Sequence, residues 1–488
     1  MKKNSIKTNL IYNMIYQVLM LLIPLITTPY ISRVIGANGV GIYSYHNSIA
    51  LYFSYFAMLG ILNYGNRTIA KVRDDEDEKN KKFTSIYILQ ILTTIFILAL
   101  YIIYSMFFVN TDRTVSIIMT LYVSASLFDV SWLFFGLEEF KITSIRQIII
   151  RIVTLILIFV FINQGTDLNK YVLIMSASNL FSALSLWLLT WKRVKLKRVS
   201  FNDVKKHFMP CLVLFIPIIA TSIYRQMDKI MVGMFCNMTE VGYYESAEKL
   251  ITISLGIVAA FSAVIMPKIS NLIENKKDKE AKDLFNISMK FAMFIGIAIA
   301  FGISSISNEF VPLFFGDGYT PSILLSIVLS ISVPFISWAC IVRTLYLIPH
   351  EKDKIYVKSI VLGAILNVVC NLIFIPRIGT MGAVVGTLVA ESSVAIYQTI
   401  KSKKYLEIKK YIKDDVVFML SGIIMSVAVR FIAKIFNDGT VKTLIIEILV
   451  GAIVYCLLTG IYFIINKDES FLKILKFNKK NKKEDELK

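Results

Sequence analysis

An all-α polytopic membrane fold of about fourteen transmembrane helices is predicted by three features of the sequence. Hydrophobic residues make up 56% of 488 positions, and the mean hydropathy is +0.66, too apolar for a soluble chain of this length. Apolar windows of about 20 residues recur, enough to cross a bilayer core of about 30 Å. Lys and Arg concentrate in alternate breaks between these windows, the charge asymmetry of a multi-pass protein.

The expected spans follow in chain order. The first, 10–31, is too long for a signal segment and lacks a small-residue cleavage site, so the chain is expected to begin at or near Met1 and keep this span. Spans 41–65, 84–109 and 115–137 come next, the first two parted by NRTIAKVRDDEDEKNKK. Spans 145–163 and 170–191 complete a block of six, closed by WKRVKLKRVSFNDVKKH. A second block holds 209–234, 242–266, 286–306, 323–347, 356–376 and 382–400, followed by 415–436 and 443–465. The expected domains are an N-lobe at 1–200, a C-lobe at 201–405, two extra helices at 406–466 and a solvated basic tail at 467–488. Pro24, Pro29, Pro217 and Pro334 each remove a backbone hydrogen bond within an apolar run and are expected to kink it.

A cytoplasmic N-terminus places roughly forty of the 53 basic residues inside and about six outside, so both termini are expected to be cytoplasmic. The net charge of +19 then reflects topology and contact with anionic membrane lipid, not nucleic-acid binding. The outer loops are short; the longest, SNEFVPLFFGDGYTPS, has no room for a catalytic domain. The five cysteines are scattered singly, which predicts neither a metal site nor a disulfide framework.

Two turns at the same step of the topology resemble each other. ANGVGIYSYHNSI carries Val40, Gly41 and Tyr43, and MTEVGYYESAEKL carries Val241, Gly242 and Tyr244. Six is even, so halves 1–6 and 7–12 would start on one side and be related by a pseudo-two-fold axis along the membrane normal. Two such bundles around a cavity suit alternating access.

Ionisable residues at bilayer depth are costly unless paired or wet, so each is a candidate site residue. The fourth span holds Asp129, the seventh Arg225, Asp228 and Lys229, and the eighth Glu245, Glu248 and Lys249. Arg343 and Glu391 lie further on. Arg225, Asp228 and Lys229 share one helix face. Folding spans seven and eight into a hairpin brings Lys229 level with Glu248 and Asp228 level with Lys249, an arrangement of structural ion pairs. Arg225 has no acidic partner at its level, which makes it the best candidate for an anionic ligand. At the repeat offset Glu245, Glu248 and Lys249 correspond to the milder Ser44, Asn47 and Ser48.

Segments 30–73, 128–146, 227–251 and 366–391, with their SRxxGxxGxGxYSY and WxxxGLExF blocks, resemble the polysaccharide-biosynthesis flippases of the Wzx type. These belong to the multidrug/oligosaccharidyl-lipid/polysaccharide exporter superfamily. The resemblance implies a fourteen-helix transporter, with no enzymatic activity, that moves undecaprenyl-diphosphate-linked oligosaccharide across the cytoplasmic membrane. It also implies a cationic cavity, with Arg225, Lys229 and Lys249 facing the diphosphate and Arg33 and Arg343 towards its two ends. No cofactor is implied beyond a proton or sodium gradient, for which Asp129, Asp228, Glu245, Glu248 and Glu391 are candidates. Glycosyltransferases and a polysaccharide polymerase would be its partners. A drug exporter, a peptidoglycan-precursor flippase and a membrane-embedded polymerase are the competing readings.

Overall fold

A computed structural model of the chain describes residues 3–109, 111–436 and 439–466, with side chains from Leu22 onward except that of Tyr224. The expected tail at 467–488 lies outside them. Among the described residues there are helices and no strands, and the chain divides into two compact units, Met1–Glu245 and Ser246–Lys488.

The first unit contains α1 (Lys3–Met58), α2 (Ile61–Val72), α3 (Glu76–Phe107), α4 (Arg113–Ile118), α5 (Thr120–Phe128), α6 (Ser131–Gly136), α7 (Phe140–Phe161), α8 (Leu168–Thr190), α9 (Phe201–Phe235) and the start of α10 (Met238–Glu274). Its first apolar stretch, Leu22–Val72, has 51 residues, roughly 75 Å of helix and far more than one bilayer needs. Gly36 breaks it, with φ 69 and ψ 175, in the segment where the sequence predicts a boundary between two spans. Gly is the residue that enters this region of φ without a Cβ penalty.

Helix starts follow local capping chemistry. The Asp75 carboxylate accepts from the Asp77 and Glu78 amides at 2.9 and 3.0 Å, and three acids occupy the first turn of α3. Ser200 and Asp203 form a reciprocal capping box on α9. The basic strap between α8 and α9 is tied down through its backbone, Lys195 N donating to Asn80 Oδ1 at 2.9 Å and Lys197 N to Thr84 Oγ1 at 3.1 Å.

The WxxxG block has a packing role. The Trp132 indole lies where a Cβ on Gly65 would be, and Ile69 lies against Gly136, so α2 and α6 approach closely. Trp132, Phe83, Phe134 and Ile69 are fully buried in the surrounding core. In lipid such contacts stabilise through dispersion and close fit, because the solvent is itself apolar.

The second unit contains the rest of α10, then α11 (Asp278–Phe315), α12 (Thr320–Ser330), α13 (Ser332–Val342), α14 (Asp353–Ile378), α15 (Thr380–Ser402), α16 (Ile408–Phe436) and α17 (Val441–Ile465). Gly382 and Gly386, one turn apart, bring α15 onto the α14 backbone near Phe374 and onto the Asn371 side chain. The span over α12 and α13 bends by 46° at Ile331. Pro334 explains the bend, since its ring opposes the carbonyl four residues earlier and supplies no N–H to it. Arg430 is paired with Glu309 at 2.8 Å, and Lys290 with Asp414 at 3.0 Å.

Twelve helical stretches among the described residues are long and apolar enough to cross a membrane, or thirteen if the bent α12–α13 pair is one span. The sequence predicts about fourteen. The difference from thirteen lies in Leu22–Val72, counted as one stretch although Gly36 breaks it, which the sequence divides into spans 10–31 and 41–65. Large apolar side chains stay exposed along α16 and α17, Val427 at 66% and Leu457 at 60%, as expected where lipid is the solvent.

Candidate functional site

The two repeated turns meet within the first unit. Asn38 Nδ2 donates to Thr239 Oγ1 at 3.2 Å and Ser44 Oγ to Glu245 Oε2 at 2.8 Å, each pair 201 residues apart. The glycines complete the symmetry of the contact. A Cβ on Gly41 would overlap the Met238 carbonyl, and one on Gly242 would overlap the Ala37 carbonyl. Each segment therefore makes to the other the contact that it receives, a local isologous pairing.

The polar face of α9 is held against α1 just beyond this pairing. Ser48 Oγ donates to Gln226 Oε1 at 3.1 Å, the Tyr52 hydroxyl to the Ser222 carbonyl at 3.1 Å, and Gly233 admits the Tyr45 ring. Lys229 forms an ion pair of 2.7 Å with Glu245, the acid one turn before the expected Glu248. Both side chains are largely buried, and the Ser44 hydroxyl donates to the same carboxylate oxygen. Asp228 accepts a hydrogen bond of 2.6 Å from Tyr244.

Arg225 differs from its neighbours on α9. Its side chain is exposed, and among the described residues it makes no hydrogen bond or ion pair. The Tyr55 phenol lies within its electrostatic reach. A second cation of this kind, Arg151, sits halfway along α7, also exposed and also without an ion pair among the described residues. It acts on Tyr122, Tyr43 and Tyr171; Tyr55 and Tyr122 interact in turn. Two guanidinium groups without an ion pair among the described residues thus act on one set of tyrosines, in which Tyr43 packs edge-on to Tyr171 at 4.9 Å. Such groups persist at bilayer depth beside water or an anion, and a bidentate, doubly charged acceptor suits two of them.

Arg151 was not among the expected site residues. The sequence assigns Arg146 to an inner loop and starts a span there, so the next arginine goes unexamined; its spacing in RQIIIRIVTL, five residues into an apolar run, is the signal that finds it.

A cavity of about 280 Å³ adjoins the cluster, with Tyr55, Tyr122, Asp129, Arg146, Gln147 and Asn179 in its wall. Asp129 stands at a break between α5 and α6, with ψ 94. The carbonyls freed there are satisfied: Gln90 Nε2 donates to those of Ser126 and Asp129 at 2.7 and 3.0 Å, and Trp187 to that of Phe128 at 3.0 Å. Gln90 also accepts from Trp132 Nε1 at 3.0 Å, so a single amide joins α3 to both sides of the break. Irregular backbone at membrane depth is tolerated where protein or a cavity covers it.

A family profile described as polysaccharide biosynthesis protein matches residues 6–273, the segment that holds every residue of this site. The chain belongs to the polysaccharide biosynthesis protein family. It is similar to a putative O-antigen transporter of Escherichia coli (strain K12), 25% identical over 80% of this chain and 95% of that protein. It is also similar to a probable low-salt glycan biosynthesis flippase, Agl15, of Haloferax volcanii, at 22% identity over 62% of this chain and 64% of that protein. A structure of the lipid II flippase MurJ in an inward closed conformation covers 93% of this chain and 98% of its own, with TM-score 0.68 and 17% identity, and shows a shared fold.

In this polysaccharide biosynthesis protein the expected site residues divide between the units. Arg33, Asp129, Arg225, Asp228, Lys229 and Glu245 belong to the first, where Arg33 lies one turn before the Gly36 break and donates to the Pro29 carbonyl at 3.4 Å. Glu248, Lys249, Arg343 and Glu391 belong to the second, where the Arg343 guanidinium lies 5.8 Å from the Tyr356 ring centre.

Proposed function

We propose that the protein is a flippase that carries undecaprenyl-diphosphate-linked oligosaccharide from the cytoplasmic to the outer leaflet of the cytoplasmic membrane for surface polysaccharide export. The observation that carries this reading is the pair Arg151 and Arg225, two exposed cations with no ion pair among the described residues, which act on the neighbouring phenols of Tyr122 and Tyr55. A diphosphate diester supplies two negative charges to them while its polyprenyl chain remains in the bilayer. The relatives, named as O-antigen transporters and a glycan flippase, support the same cargo class.

The protein is a multi-pass transporter with both termini cytoplasmic, and it performs no bond chemistry on its cargo. Head-group passage is by alternating access, in which the reciprocal contact of the two repeated turns opens on one side of the cycle. Lys249, Arg33 and Arg343 add positive charge along the path. For coupling to a proton or sodium gradient the candidates are Asp129, Asp228, Glu245, Glu248 and Glu391. A drug exporter for cationic amphiphiles is disfavoured by the sign of the unpaired charges.

Arg225→Ala should insert and melt like the wild type but slow translocation of a labelled lipid-linked sugar in vesicles by at least about tenfold, the worth of one charge-assisted contact. Wild-type rates in this variant would remove the basis of the assignment.

A further inference from the structure

We propose that the cavity beside Asp129 is the subsite for the sugar joined to the diphosphate, and that it takes an uncharged pyranose. The proposal rests on the flippase reading and adds a place and a chemistry for the saccharide. Tyr55 and Tyr122 line the cavity and are the phenols on which Arg225 and Arg151 act, so a ring attached to a diphosphate held by these arginines lies beside the cavity wall. Gln147 and Arg151 are four residues apart on α7 and lie on one face, which places the amide a turn from the cation.

Three of its polar side chains, Asp129, Asn179 and Gln147, keep hydrogen-bonding capacity among the described residues. Asp129 Oδ1 accepts from the Ser131 amide at 3.0 Å, while its other oxygen accepts nothing among the described residues. Asn179 donates to the Tyr122 carbonyl at 3.4 Å and keeps its own amide oxygen for a ligand. Gln147 makes no hydrogen bond among the described residues, so its donor and acceptor are both open. Arg146, in the same wall, is spent on the Ser182 and Ser185 hydroxyls, at 3.1 and 3.2 Å. Unspent donors and acceptors in one wall match a ring of hydroxyl groups, each of which is both, and phenol rings offer flat apolar faces to its C–H groups. An isolated phosphate would meet the Asp129 carboxylate, and so would the carboxylate of an acidic sugar. The volume is near the lower end of small-molecule sites, roughly 300 Å³, and holds a sugar ring rather than a repeat unit.

The test uses the purified full chain in lipid nanodiscs with undecaprenyl diphosphate and its glucosyl, galactosyl, N-acetylglucosaminyl and glucuronosyl derivatives. Wild type should bind at least one uncharged derivative about tenfold more tightly than undecaprenyl diphosphate. Gln147→Ala and Asn179→Ala should bring that ratio towards one while leaving undecaprenyl diphosphate binding unchanged; Arg225→Ala should weaken all probes together. A ratio unaltered in both cavity variants, no gain from any uncharged sugar, or a preference for the glucuronosyl probe would each overturn the subsite. If wild type binds undecaprenyl diphosphate but ignores sugars, only the subsite fails. If it binds no probe at all, the flippase reading fails with it.

Discussion

Arg225 and Lys229 lie one turn apart on α9 and have different surroundings. Lys229 is held by Glu245 at 2.7 Å in a largely buried pair, whereas Arg225 is exposed and makes no hydrogen bond or ion pair among the described residues. Breaking a buried pair by removing one member leaves the other charge desolvated, at a cost of about 3–5 kcal/mol, while removing both is close to neutral. Lys229→Met should therefore lower the detergent melting temperature markedly, and Lys229→Met with Glu245→Met should recover most of the loss. Equal melting of the single and double variants would show that the pair does not stabilise the fold. Arg225 stood out in the sequence because a guanidinium at that level had no acidic partner. Lys229 was legible as half of a pair; its contact with Glu245 depends on the rotation of α10 about its axis, which spacing along the chain does not contain. Arg151 was hidden by an inner-loop boundary drawn at Arg146, although α7 begins at Phe140 and buries that boundary within a helix.

The breaks matter as much as the helices that they separate. Gln90 alone supplies hydrogen bonds to two carbonyls at the α5–α6 break and accepts one from Trp132. Gln90→Leu leaves these groups unpaired and should destabilise the protein by about 1–3 kcal/mol for each buried group orphaned, read by thermal melting alongside wild type. An unchanged melting curve would mean that water replaces the amide. At the other break, the Asn38–Thr239 hydrogen bond spans the reciprocal contact of the repeated turns. In a chain lacking native cysteines, Asn38→Cys with Thr239→Cys should form a disulfide on oxidation that stops translocation and releases it on reduction. Full transport by the cross-linked protein would show that this contact stays closed throughout the cycle. The repeat itself was visible as VGxY in two turns; that the copies touch each other was not, because it depends on tertiary packing through Gly41 and Gly242.

At the scale of the whole molecule, hydropathy carried most of the fold. An all-helical, multi-pass chain follows from apolar windows of bilayer length, and the structure has helices alone among its described residues. The number of spans depends on where the chain is divided: the sequence places a boundary between residues 31 and 41, where Gly36 breaks the helix, and counts 323–347 as one span across the 46° bend at Ile331. The candidate site was half legible for a related reason: charge at depth is a property of one helix, whereas the cavity at Asp129 is assembled from residues between Ser54 and Ile218. The central claim is the identity of the cargo. The most direct measurement places the purified protein in vesicles with labelled undecaprenyl-diphosphate-linked oligosaccharide in both leaflets and adds a membrane-impermeant glycosidase, with a fluorescent cationic amphiphile assayed in parallel. The account predicts that the protein exposes the inner-leaflet glycan to cleavage and leaves the cationic dye unmoved. A protected glycan together with transported dye would contradict it.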